Sequence, residues 1–413
     1  MNKTMRQITY DELRGLFQEN QRDALDCEMV TQSTYRGESY YADDDRPGVG
    51  KLQHPRHALY KEMLFRDMKT DGFTMGSPQE SVIRQGERGQ YYRGETKIHD
   101  KSGTTLSRGL ERYKSEEDKL LYRLVADMRV AEFAYFIRMF DRVRRWDERG
   151  LTVQTEPLAQ HYGLETDWLD ITNDFNTALF FASCYWDRKE RKWYPLTRAQ
   201  TEGGDEKRKF GVLFRAPAFQ ITANNMLHFH PENPDDTEGM VLPIGYQPFM
   251  RCHSQYGYGL HMRDSIPLQN HDAFERLCFR HSEALSQAVY ELMDEGRKIY
   301  PKEGLDAFQD VLDAIASATA FSESAFAAAL AKNRLDGKAD EYRSKLERFQ
   351  VALERETEHG AERCQERVSI CGEQHPFSLS RKRVRLFNRK DRGFSIEEHY
   401  HIQLNTRYTF RGE

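Results

Sequence analysis

Between Leu158 and Ala182 the sequence LAQHYGLETDWLDITNDFNTALFFA crowds imidazole, hydroxyl and carboxylate groups among apolar residues. His161 is its sharpest chemical group. Apolar flanks would desolvate the imidazole, while Thr166, Asp167 and Asp170 stand close enough in sequence to set its tautomer. The same pattern also fits a core histidine satisfied for structural reasons. Asp170, between Leu169 and Ile171, fits either an acid–base group or an acceptor for backbone N–H groups near a helix start. A second chemical stretch is Tyr92-Arg93-Gly94, where a guanidinium at the end of a strand suits phosphate or carboxylate and glycine lets the backbone approach a ligand closely. A structural ion pair is the competing reading of Arg93. Two other aromatic-Arg-Gly steps exist, Tyr35-Arg36-Gly37 in polar loop sequence and Phe410-Arg411-Gly412 near the last residue, and neither has strand-like flanks.

These groups need elements to hold them. A short amphipathic turn carries Gln160, His161 and Tyr162 and ends at Gly163. Asn173 or Asp174 then caps an apolar helix with Phe175, Ala178, Leu179, Phe181 and Ala182, so Thr166 to Thr172 form a polar connection clamped between two buried elements. Gln90 to Glu95 has the aromatic content of a strand. Ser115 to Trp146 is the longest amphipathic pattern, started by Ser115 with Glu116 and Glu117, stopped by Gly150, and its aromatics are core packing. Helices are expected over Tyr10 to Glu19, His54 to Met68 and Asp272 to Met293. Strands are expected over Phe210 to Phe214 and Gly239 to Pro243, with a strand and turn over Met250 to Leu260, and Asp187 to Lys209 reads as a charged loop. The expected class is α+β, a mixed or antiparallel sheet with packed helices and a mostly helical module near the C-terminus. Four segments follow: an arm with short helices at 1–84, a core domain at 85–300, a helical module at 301–370 and a basic, strand-rich segment at 371–413. The module is an alanine-rich run (Ala314 to Ala331) and a charged helix (Lys338 to Glu358) turning at Gly337, which reads as a helical hairpin.

Composition narrows the classes. A chain of 413 residues with 38% hydrophobic content supports a large core, and a net charge of −5 gives no bulk attraction for nucleic acid or anionic membrane. The six cysteines form no CxxC pair and read as reduced thiols; with no apolar leader and no run of about 18 apolar residues, the expected location is the cytoplasm, away from membranes. GxxxxGK[ST], GxGxxG, GxSxG and HExxH are all absent. His228 and His230 alternate as a strand would, in a pattern that could join His253 or Asp235, yet a chance pair among 14 histidines is the better reading, and no metal is expected.

Taken together, the residues resemble the FRG domain, a mostly bacterial family named for an aromatic-Arg-Gly motif followed by QHYG-x-x-T-x-x-L-D-x-T. Here these are Tyr92-Arg93-Gly94, then Gln160, His161, Tyr162, Gly163, Thr166, Leu169, Asp170 and Thr172, with ALFFA starting at Ala178. Arg251, Gln255, Tyr256 and Gly257 are similar to its third segment. Glu165, Asp167 and Ile171 stand where proline, arginine and tryptophan are usual, so this wall of the site is expected to be more acidic than the family pattern.

A weaker likeness, to ADP-ribosyltransferases, implies a small nucleotide-like ligand with NAD as cofactor or substrate. It implies Arg93 on the diphosphate with Tyr92 and Gly94 beside it, and His161 and Thr172 on the ribose or nicotinamide. Gln255 would hydrogen-bond the reacting centre, and the missing negative charge would come from Glu95 or Asp170. Gln160, Tyr162, Thr166 and Arg251 complete the implied ligand contacts. The setting implied is bacterial stress or phage defence, with a protein target as one acceptor. The alternative is a non-catalytic ligand sensor or interaction module whose 301–370 segment carries the signal. A third reading is nucleic-acid binding through the basic run of Arg381, Lys382, Arg383, Arg385, Arg389, Lys390 and Arg392, which a solvated face explains better.

Overall fold

A computed structural model describes residues 5–20, 71–76, 81–85, 89–140, 143–144, 153–203, 205–218, 220–221, 239–244, 249–262, 266–300, 305, 308–354, 377–388 and 393–404. The expected helix over His54 to Met68, the histidine pair 228 and 230, and the basic residues 389–392 lie outside them.

Seven strands make the central sheet: β1 (Arg6–Gln7), β4 (Gln90–Glu95), β5 (Trp168–Thr172), β8 (Phe210–Pro217), β9 (Val241–Pro243), β10 (Gly257–His261) and β11 (Glu275–Arg280), in the order β1-β11-β8-β4-β5-β10-β9. Only β1 and β11 run parallel; every other pairing in this sheet is antiparallel. The sheet is therefore mixed, and the class is α+β. Side chains alternate across it as a period of two requires. Tyr91, Val212, Phe214 and Cys278 enter one core, and Tyr92, Leu213, Leu277 and Phe279 enter the other.

The second face is covered by α5 (Phe175–Ser183), held at its start by the Asp174 side chain, which accepts from the Thr177 N–H. The N-terminal helix α1, over residues 10–20, adds a further cap, because Asn20 Oδ1 accepts from the Phe175 N–H at 3.2 Å. Gly94 lies directly against α5. A Cβ at Gly94 would collide with the carbonyl group of Ala178 and the backbone N of Ala182, so glycine here admits the close approach of a helix.

Helix α3 (Glu116–Arg138) is capped by Ser115 as expected, but it closes at Arg138, where Met139 and Phe140 tighten into i→i−3 bonds. Its sides serve two cores. One holds Phe133, Ile137, Leu158 and Tyr162 around α4 (Thr155–His161); the other holds Leu121, Leu124, Phe326 and Leu346. The alanine-rich run is broken after α8 (Gln309–Ala316) by β12 (Ala320–Ser322), and Ser322 caps α9 (Glu323–Lys332). Within the charged segment, α10 (Ala339–Glu347) ends well before Glu358, and β13 (Ala352–Glu354) pairs in parallel with β12.

Other local expectations change too. The polar connection before α5 is the strand β5, its residues buried apart from a half-buried Asp170. Asp272 to Met293 divides into β11 and α7 (Glu283–Leu292), because Leu277, Cys278 and Phe279 are all buried in a strand between two neighbours, and Ser282 starts the helix. Met250–Ser254 is a helix, α6, ahead of β10. A hairpin, β6 (Cys184–Asp187) with β7 (Lys192–Pro195), runs into the expected charged loop. A separate four-stranded sheet joins β14 (Phe377–Asn388) and β15 (Gly393–Leu404) to β2 (Asp71–Gly76) and β3 (Ser81–Gln85). Among the described residues no helix is long and apolar enough to cross a membrane.

Candidate functional site

The site originates in a gap in the sheet. β4 pairs with β8 at six positions and β5 with β10 at five, but β4 meets β5 only at Tyr92 opposite Thr172. Beyond that rung the strands part, and a cleft of about 400 Å³ opens between Arg93, Gly94 and Glu95 on one side and Asp170 and Ile171 on the other.

Arg93 bridges the gap. Its Nη1 donates to the Asp170 carbonyl at 2.7 Å and its Nε to Glu95 Oε1 at 3.1 Å. Ser102 Oγ donates to the second Glu95 oxygen at 2.8 Å, so both oxygens of this buried carboxylate are engaged within the protein. Ser102 belongs to the loop after β4, which supplies Thr96, His99 and Lys101 to the cleft. That loop is fastened through its backbone: Leu268 N–H donates to Ser102 O at 2.7 Å, Arg276 to His99 O at 2.8 Å, and Ser102 N–H to Gln269 Oε1 at 2.9 Å. The wall is preorganised. Arg108, at the rim, adds a second guanidinium; partial desolvation and then the neighbouring Arg93 push it below its usual value, against Glu95 and Glu165.

His161 faces this cationic side from the end of α4. Its Nε2 is 3.3 Å from Asp170 Oδ1, and neither atom makes a hydrogen bond. The His161 side chain is 3% exposed and that of Asp170 34%. Burial holds the imidazole below its ordinary 6.5; the Asp170 carboxylate opposes this and Arg251 adds to it. His161 is thus neutral at pH 7. The Gln255 side chain, whose Nε2 donates to the Ile299 carbonyl at 3.0 Å, also bears on the ring and opposes the lowering. Nε2 faces a carboxylate oxygen across a distance that one proton would bridge.

The far wall is aromatic. The β6–β7 hairpin sets Tyr185 opposite Tyr194 and Trp186 opposite Trp193, and Phe181, Tyr185, Trp186 and Trp193 line the cleft. Trp186 stacks on Tyr300 at 5.3 Å, with the rings 29° apart. Cys184 also lines the cleft, but burial pushes its thiol up to about 12, so it is no nucleophile.

Of the residues singled out from sequence, Tyr92, Arg93, Gly94, Glu95, His161, Asp170, Thr172 and Gln255 line one cleft. Gln160, Tyr162, Thr166 and Arg251 stand behind it. Gln160 Oε1 accepts from Thr105 at 2.8 Å and from Thr166 at 2.9 Å, joining α4 to α2 (Thr105–Leu110) and to the start of β5. Thr172 Oγ1 donates to the Gln255 carbonyl at 2.7 Å and accepts from the Asp174 N–H at 3.0 Å, fixing the turn into α5. The expected acidic wall is absent: Asp167 is 2% exposed and paired with Arg123 of α3, and Glu165 accepts from the Tyr122 hydroxyl at 2.5 Å. Sequence reading missed Lys101, His99, Arg108 and the aromatic wall. The symmetric Tyr-Trp and Trp-Tyr steps at 185–186 and 193–194 were the available signal for that wall, masked by the charged turn between them. Among the described residues no cluster of His, Cys, Asp or Glu could hold a metal ion.

No curated protein and no solved structure matches the chain. Residues 88–191, the stretch that carries Arg93, the His161–Asp170 pair and the first strand of the aromatic hairpin, match the family described as the FRG domain, and the chain therefore contains an FRG domain.

Proposed function

We propose that the cleft binds an anionic nucleotide of the NAD type and that the His161–Asp170 pair acts at its nicotinamide–ribose bond. The observation that carries this reading is the pair itself, a buried imidazole against a half-buried carboxylate. Nε2 and Oδ1 lie 3.3 Å apart without a hydrogen bond, facing a cleft with guanidinium groups on one side and indole rings on the other. Arg93 and Arg108 suit a diphosphate, and Trp186 and Trp193 offer flat faces to a base. In the reaction, the C1′–N bond breaks with its electron pair leaving on neutral nicotinamide. The Asp170 carboxylate steadies the positive charge that develops on the ribose, and water or a side chain of a target protein attacks C1′ while His161 Nε2 takes its proton.

Calorimetry with NAD and chromatography of released nicotinamide test this reading. Arg108→Ala is expected to weaken binding about tenfold, and Asp170→Asn to keep binding while abolishing release. Neither binding nor release by the unaltered protein would overturn it. A second reading, non-catalytic ligand sensing, is favoured by the internal bonds that occupy Glu95 and Gln255; binding without release would select it.

A further inference from the structure

We infer that Arg251 is a positioning residue that ties the His161–Asp170 pair to the aromatic wall without touching the ligand. The resemblance assigned it a ligand contact, but the side chain is 6% exposed and lies outside the cleft lining. Its guanidinium carbon is 4.5 Å from the centre of the Tyr162 ring and 4.3 Å from that of Tyr300, so the planar cation is clamped between two rings. Nη1 donates to the His161 carbonyl at 3.0 Å, at the C-terminus of α4, where a cation also meets the negative end of the helix.

From this clamp two chains of contact reach the cleft. One runs through the His161 backbone to the imidazole. The other runs through Tyr300, which stacks on Trp186 at 5.3 Å and meets Trp193 edge-on at 5.8 Å. One buried side chain therefore sets the spacing between the acid–base pair and the rings opposite. Its charge also bears on the imidazole, which faces Asp170 from β5, Arg251 from α6 and the neutral Gln255 amide; Arg93, from β4, holds the Asp170 carbonyl. Lysine keeps the charge but cannot lie flat between two rings. Methionine keeps bulk but loses both the charge and the hydrogen bonds.

This assignment deepens the reading of His161 as a proton station, and it is tested without any nucleotide, so it stands or falls separately from the choice of NAD. The experiment is an NMR titration of the His161 ring in the full-length, ligand-free protein. The resonance is assigned by comparison with His161→Asn, and indole fluorescence is recorded in parallel. In Arg251→Met, shown to be folded by circular dichroism, the His161 midpoint is expected to move up toward the ordinary imidazole range, and the indole emission to shift. Arg251→Lys is expected to return the midpoint toward that of the unaltered protein while leaving the emission shifted. A residue that merely stabilised the fold would lower the unfolding midpoint and leave the His161 titration in place. If Arg251→Met does not fold, the lysine variant decides the matter, since unchanged indole emission there would show that the clamp does not set the aromatic wall. An unmoved or lowered His161 midpoint in folded Arg251→Met would overturn the inference.

Discussion

Lys332 offers the most searching test of how the site is supported. From the end of α9 its ammonium lies 2.7 Å from Asp127 Oδ1 on α3 and 2.9 Å from Glu156 Oε2 on α4, and Glu156 also accepts from the Trp168 indole of β5 at 3.2 Å. Replacing Lys332 with methionine leaves the Asp127 carboxylate, 4% exposed, with only the Asn333 amide at 2.7 Å. Orphaning one partner of a buried pair costs about 3–5 kcal/mol, and the contact with Glu156, 32% exposed, adds about 1 kcal/mol or less. The expected loss is about 4 kcal/mol, read as a lowered urea midpoint by circular dichroism at pH 7. Lys332→Met combined with Asp127→Asn, which leaves only the half-buried Glu156 carboxylate without its cation, should recover about 2 kcal/mol of it.

The pH dependence of Lys332→Met has a definite sign. Burial raises the Glu156 carboxyl, but Lys332 and then Trp168 outweigh it and hold the group below its ordinary 4.5. A depressed carboxylate contributes stability that is present above its unfolded value and is lost as pH falls through the folded one. The gap between the variant and the unaltered protein should therefore be widest near neutrality and narrow below about pH 4.5. A loss under about 1 kcal/mol, or a gap that widens in acid, would show that the ammonium does not hold these carboxylates.

Gly94→Ala should cost about 3 kcal/mol or more in a urea titration, because the added methyl meets the main chain of α5 at residues 178 and 182. Ala178→Gly should fail to rescue it, since it removes a side chain and leaves that backbone in place. At pH 8 iodoacetamide should leave Cys184 unlabelled in the folded protein and alkylate it in urea, as expected for a buried thiol with a pKa pushed up to about 12; mass spectrometry of the peptides reads the difference.

The parts legible in sequence were those governed by local rules. Ser115 and Asp174 announce helix starts because each side chain accepts from a backbone N–H three residues on, and Gly163 marks the end of α4 through its φ of +88°. The convergence of Arg93, His161, Asp170 and Gln255 was legible only through the order of three motifs. Other features depend on partners far away in the chain. β5 read as a polar connection because nothing local reveals that β10 buries it, and β11 read as helix because a strand buried on both faces lacks the alternation of an exposed one. Asp167 read as part of an acidic wall because its neutralising Arg123 lies 44 residues earlier. The packing of α5 on Gly94 was hidden because that helix, which needs the space, is remote in sequence.

The single rung between Tyr92 and Thr172 has a mechanical consequence. Hydrogen-bonded ladders are what let a sheet resist bending, and here one ladder of six pairs and another of five flank a seam with one. The central sheet is two stiff plates sharing a hinge, and the Arg93 bond to the Asp170 carbonyl is a strut across the open side. Arg93 and Glu95 ride on one plate and Asp170 on the other, so flexing the seam changes the width of the cleft more than the shape of either wall. A molecule that contacts both plates stiffens the seam by supplying the rungs it lacks. Amide exchange along Arg93 to Glu95 and Trp168 to Ile171 would register that stiffening even where no bond is broken.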